Sequence, residues 1–192
     1  MLAFAFFAAT LLGGCERKIE GARFESIVAV NEDPALIGGA KPGYGRYVQI
    51  EISTPQEWNR AIEDSNGVYP EVGFCPLKPD NKLLAIGPYG IDGRSLSVSS
   101  DWGVVSESDG RKHFRVFLVP GHPMPQTKYA SSFNQKPYDL KTNKQDICVL
   151  IRVPGYFDDA MTTNTVRIPA NVVAKVAQSE PIPAHALGAT RR

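Results

Sequence analysis

The chain has 192 residues, of which 43% are hydrophobic and 21% charged, with a formal net charge of +1. Those proportions belong to an ordinary globular protein and exclude an intrinsically disordered one. Its basic residues form nothing longer than the pairs Arg17-Lys18, Arg111-Lys112 and Arg191-Arg192, so nucleic-acid binding has no electrostatic footprint.

The first predicted element is an unbroken apolar run, Leu2 to Leu12, followed by Gly13, Gly14 and Cys15. It is too short to cross a bilayer as a helix, which takes about 20 residues. A core helix would show polar positions every few residues, and none occurs before Thr10. An apolar stretch ending in two small residues and a cysteine resembles a bacterial lipoprotein signal with its lipobox. The chain departs from that pattern in carrying no Lys or Arg before Arg17, where signals begin with a basic segment. The resemblance covers only residues 1–15. It implies cleavage between Gly14 and Cys15 and a diacylglycerol on the Cys15 sulfur. It also implies an address in the bacterial envelope. Residue 16 is glutamate rather than the aspartate associated with inner-membrane retention, which points to the outer membrane's periplasmic leaflet. Export would leave Cys75 and Cys148 in an oxidising space where disulfides persist. Two cysteines allow one intramolecular pairing, worth roughly 4 kcal/mol in the chain-entropy model. The alternative is a pair of buried free thiols acting as small apolar residues.

Beyond the lipidated cysteine, residues 15–23 read as a polar tether and residues 24–178 as a single domain. Phe24 to Val30 is the first strand candidate, and a glycine-rich loop from Leu36 to Gly45 follows. Arg46 to Ser53 alternates cleanly: Val48, Ile50 and Ile52 face one way, Tyr47, Gln49 and Glu51 the other. That period of two predicts a half-buried strand. Thr54, Pro55 and Glu57 then have the spacing of a helix N-cap, first-turn proline and capping box. They predict a helix of about ten residues ending at Asn66-Gly67. Strand patterns return at Val68–Phe74, Lys82–Ile86, Ser95–Ser99 and Lys112–Val119, the last doubly apolar and therefore central. Gln145–Val153 places Ile147, Val149, Ile151 and Val153 on one face. Thr163–Ile168 is the last strand, and Pro169 opens a short helix with Val172, Val173, Val176 and Ala177 as its buried stripe. Residues 179–192 read as a disordered tail. Glycine and proline, 17 and 15 residues, are spread at turn-like intervals. Short strands divided by such signals predict a mainly β fold, an antiparallel sandwich or barrel-like domain with one or two short helices.

Few motifs encode a mechanism. The Gly38–Gly45 segment lacks the Gly-Lys-Ser/Thr ending of a phosphate loop. Gly93-Arg-Ser95-Leu-Ser97 misses the final glycine of a nucleophile elbow. His113, His122 and His185 do not form paired metal-ligand spacing, and His113, at the start of a strand beside Lys112, reads as an edge position. The acidic pairs Glu32-Asp33 and Asp158-Asp159 read as solvated loop residues. No catalytic, cofactor-binding or metal site is therefore assigned. Aromatic residues are concentrated in turn-rich segments (Tyr44, Tyr89, Tyr129, Phe133, Tyr138, Tyr156, Phe157). Such residues either anchor a partner at low entropic cost or plug the ends of the sheet. The expectation is a lipid-anchored, non-catalytic interaction protein whose partner is an envelope or periplasmic protein, with an immunity or inhibitor lipoprotein as its sharper version. The alternatives are an assembly lipoprotein and an envelope hydrolase using carboxylates such as Glu51 or Asp101.

Overall fold

The computed structural model describes residues 17–31, 45–55, 68–90, 110–121, 138–154 and 161–183. Among these, ten strands and one α-helix follow in order. They are β1 Arg17–Ile19, β2 Arg23–Asn31, β3 Arg46–Pro55, β4 Tyr69–Phe74, β5 Ala85–Gly90, β6 Arg111–Leu118, β7 Ile147–Val153, β8 Met161–Thr163, β9 Val166–Ile168, α1 Ala170–Gln178 and β10 Ile182–Pro183. They form two sheets. The first has the order β1-β8-β7-β4, with β9 also on β7; the second has the order β10-β2-β3-β6-β5. Neighbours run antiparallel except for β1 on β8 and β10 on β2, which are parallel. The fold is the β-rich, sandwich-like class that the strand pattern predicts.

Alternation explains why the sheets face each other. Val48, Ile50 and Ile52 of β3 sit opposite Leu118, Val116 and Phe114 of β6. The aliphatic members of this set pack against Ile147, Val149, Ile151 and Val153 of β7 in one continuous core. Leu140, Ile168, Val173 and Ala177 close that core at its margin. A second cluster, Val30, Tyr47, Tyr89, Phe117 and Val119, lies on the opposite face of β3 and β6. Phe117 takes Tyr47 and Tyr89 edge-on, with ring centroids 6.2 and 5.5 Å away. Burial pushes the Tyr89 phenol pKa up.

The structure corrects the sequence reading in several places. Strand β3 is buried on both faces, with Gln49 and Glu51 only 3% and 4% exposed, because Glu51 meets Ser26 and His113 of the adjacent strands and Gln49 lies between Val28 and Phe117. It also runs through Thr54 and Pro55, which pair with Lys112 and Arg111 of β6, so neither residue starts a helix. The rest of that predicted helix, residues 56–67, lies outside the described residues, as do Ser95–Ser99 and the loop before Gly45. The predicted strand Lys82–Ile86 is displaced to Ala85–Gly90, with one bulged residue between Ile86 and Tyr89, where Pro88 cannot donate to the ladder. Thr163–Ile168 divides into β8 and β9. The expected tether carries strand β1 at Arg17–Ile19 and the first residue of β2 at Arg23, and Ile182–Pro183 of the expected tail pairs with Val30 and Asn31. Residues 184–192 lie outside the described residues.

The helix follows the valine stripe, with Val173 and Ala177 buried and Val172 and Val176 half-buried. Its preceding residue, Pro169, has no capping side chain, and Asp146 takes over that task from a distant loop. Asp146 Oδ1 accepts from the Ala170 N–H at 2.9 Å, and Oδ2 accepts from Arg167 Nε at 2.6 Å. At the other end Arg46 Nη2 donates to the Ala177 carbonyl at 2.8 Å. A carboxylate at the N-terminus and a guanidinium at the C-terminus both complement the helix dipole. The Ala170 hydrogen bond, then the one from Arg167, holds the Asp146 carboxyl below its ordinary pKa. A depressed folded-state pKa stabilises the fold above the unfolded value of about 4 and is lost as pH falls through the folded one. Asp146→Asn should therefore have a lower urea midpoint than the parent at neutral pH, and the gap should close on acidification. Equal midpoints at neutral pH would contradict the cap.

Candidate functional site

Among the described residues, the outer edge of the first sheet carries a tightly held surface. Strand β4 pairs with β7 from Tyr69 opposite Arg152 to Phe74 opposite Ile147. Cys75, the next residue, donates its N–H to the Asp146 carbonyl at 2.9 Å and is disulfide-bonded to Cys148 of β7. The chain then makes a compact loop with Pro76 and Pro79 and a single 3₁₀ turn, Pro79–Asn81. It returns along β4 through a Gly73–Lys82 bridge and a Leu83 N–H to Val72 carbonyl bond of 2.8 Å.

Asn81 is the hub of this loop. Its Oδ1 accepts from the Lys78 N–H at 2.8 Å, while Nδ2 donates to the carbonyls of Phe74 and Pro76, each at 2.8 Å. Gly73 is required by the close approach of the returning chain. A Cβ there would lie 2.7 Å from Leu77 Cδ1 and 2.8 Å from the Asn81 carbonyl oxygen. Disulfide, amide hub and glycine together fix a loop that sequence alone presents as an irregular connection.

Two open clefts flank the loop. One, of about 490 Å³, lies between the loop and the 138–145 turn, with Phe74, Leu83 and Tyr138 among its walls and Asp80 and Gln145 among its polar residues. Phe74 and Tyr138 meet edge to face at 6.4 Å, and the Tyr138 hydroxyl donates to the Val119 carbonyl at 3.1 Å. The other, of about 570 Å³, is lined by Leu77, Leu150, the disulfide's Cys148 and the charged group Glu71, Lys82 and Arg152. Glu71 bridges both bases, at 2.9 Å from Lys82 and 3.4 Å from Arg152. These are partly exposed ion pairs of small energetic weight. Their effect is to hold long side chains in fixed positions around the cleft.

A second polar cluster lies inside the other sheet. Glu51 Oε1 sits 3.1 Å from His113 Nδ1, with both side chains about nineteen-twentieths buried. Ser26 Oγ lies 3.4 Å from Glu51 Oε2, and Ser53 Oγ donates to Glu25 while accepting from Arg111 Nε at 2.8 Å. His113 is thus not an edge residue, because β6 runs between β3 and β5. A carboxylate on a histidine Nδ1 is the orienting half of an acid–base arrangement. Here Ser53, the nearby hydroxyl on β3, is held by Glu25 and Arg111. The cluster therefore works as an internal polar crosslink among β2, β3 and β6, where each buried polar group needs a partner.

The sequence-predicted residues divide accordingly. Cys75 and Cys148 are brought together, and Tyr138 reaches the first cleft, whereas Tyr89 is a core residue. Cys15, Asp101, His122, His185, Ser95, Ser97, Tyr44, Tyr129, Phe133, Tyr156, Phe157 and the pairs Glu32-Asp33 and Asp158-Asp159 lie outside the described residues. Gly73, Asn81 and the Glu71–Lys82–Arg152 group were not singled out from sequence. The only signal for them is Pro76-x-x-Pro79-Asp80-Asn81, turn chemistry immediately after a cysteine. No protein-family model matches the chain, and no curated protein matches it.

Asn81→Ala removes three side-chain hydrogen bonds while leaving the disulfide in place. Its expected cost is about 1–2 kcal/mol of unfolding free energy, read from urea denaturation, with new protease cleavage between Leu77 and Asn81. Wild-type stability together with wild-type protease resistance would refute its role as hub.

Proposed function

We propose that this chain is a lipid-anchored binding protein of the bacterial cell envelope and that the disulfide-pinned edge of its first sheet holds a protein partner. The observation that carries this reading is the preorganisation of the Cys75–Lys82 loop between two open clefts. Binding loses free energy to every loop and side chain it must order, and here the disulfide, Asn81 and the Glu71 ion pairs have already ordered them. The surface also combines what protein interfaces use: aromatic and aliphatic walls in Phe74, Tyr138, Leu77 and Leu150, with fixed charges at the rim. The Gly14-Cys15 lipobox supports the anchor, and the disulfide agrees with an oxidising compartment. An inhibitor or immunity role and an assembly role both use such a surface, and the partner's identity separates them.

The test is site-specific photocrosslinking in the periplasm of the producing cell. A photoreactive residue at Lys78, on the loop, should yield one dominant protein adduct that is lost in an Asp80→Lys background. The same residue at Lys18, on the opposite edge strand, should yield no such adduct. Cys15→Ala should move the protein from the membrane to the soluble fraction. Absence of any adduct from Lys78, or identical adducts from both positions, would contradict the binding surface.

A further inference from the structure

The first strand starts one residue after the cysteine expected to carry the lipid. We propose that the β1 edge and the turn after it form a bilayer-docking surface, seated on the anionic phospholipid headgroups of the membrane that holds the acyl chains on Cys15. This inference rests on the lipid-anchor reading of Cys15 and adds to it an orientation and a contact surface.

Strand β1 begins at Arg17, so a single residue, Glu16, separates it from Cys15. Successive Cα atoms are about 3.8 Å apart, which keeps the Arg17 Cα within about 7.6 Å of the lipidated residue. That is comparable to the screening length at physiological ionic strength, about 8 Å. The strand is not a loose leader that could extend the tether. It pairs in register with β8, Arg17 to Met161, Lys18 to Thr162 and Ile19 to Thr163, and Ile19 packs against the core. Asn164 then clamps the turn. Its N–H donates to the Ile19 carbonyl at 3.0 Å, its Oδ1 accepts from the Ala22 N–H at 2.7 Å, and its Nδ2 donates to the Ala22 carbonyl at 3.1 Å. The β1 end of the body therefore stays close to Cys15 unless these bonds break.

The surface so placed has the chemistry to meet headgroups. Arg17, Lys18 and Arg23 are exposed there against two acids, Glu20, which pairs with Lys18 at 3.1 Å, and Glu25, which accepts from Ser53. Phe24, next to Arg23, is 37% exposed, one of three large apolar side chains exposed among the described residues. Basic side chains beside an exposed aromatic suit the boundary between phosphate groups and acyl chains. In the first sheet β4 is the edge opposite β1. At the usual strand spacing it lies about 14 Å across the sheet, so the disulfide-pinned clefts are held on the side away from the lipid.

Depth-dependent quenching of the full lipidated protein tests this. The protein is purified from membranes and reconstituted into vesicles of phosphatidylethanolamine and phosphatidylglycerol that carry a nitroxide on the headgroup. One fluorophore is attached through Lys18→Cys, with Glu20→Cys as a second proximal position, and another through Lys78→Cys. The expected result is several-fold stronger quenching at residues 18 and 20 than at 78. Equal quenching at all three positions, with diacylglycerol found on Cys15 by mass spectrometry, would overturn the docking surface and leave the anchor standing. A Cys15 without lipid would overturn both.

Discussion

Strand β7 is the element on which the rest of the structure depends. Its inward residues Ile147, Val149, Ile151 and Val153 fill the space between the two sheets. Its backbone pairs with β4 along one edge, and β8 and β9 divide the other. Its Cys148 holds the loop after β4, and Asp146, just before it, caps the helix. Core, disulfide edge and helix are thus positioned by one stretch of eight residues, Asp146 to Val153. A large-to-small change at Ile147 or Ile151 would remove transfer energy and leave a cavity, a loss of about 2–5 kcal/mol, close to the whole stability of many domains.

How much of this was legible in the sequence follows from what sets each element. β3 and β7 could be read directly because their alternation is enforced by burial of Ile50, Ile52, Ile147 and Ile151 over a full strand length. The helix could be read from the valine stripe after Pro169, but its cap could not, because Asp146 is 24 residues away in the chain. Strands β1 and β10 have three and two residues, too few to show a period, and exist only because β8 and β2 offer edges. The polar face of β3 misled in a specific way. Tyr47, Gln49 and Glu51 have the pattern of a solvent face, yet cross-strand partners such as His113 take the place of water, and a single strand's sequence does not contain those partners. The proposed binding surface was hidden for the same reason. Asn81 and Gly73 matter through where the loop returns, which only the β4–β7 pairing decides.

The two edges of the first sheet give the proposed role its geometry. One edge starts a single residue after the cysteine expected to carry the lipid, and the other carries the ordered loop and its clefts. A binding domain on a membrane works best when its recognition surface faces outward and is rigid, since a flexible tether or loop dilutes encounter and adds ordering cost. The buried Glu51–His113 cluster contributes to the same rigidity from inside the second sheet, by tying β3 to β6 through a polar contact as well as through the ladder.

Preordering of the Cys75–Lys82 loop is read out by amide hydrogen exchange on the free oxidised protein. The Cys75 and Leu83 amides, bonded to the Asp146 and Val72 carbonyls, should exchange as slowly as those in the middle of β7. Exchange at the rate of an unfolded chain, with β7 still protected, would show that the loop is ordered only on binding and would contradict the preordering.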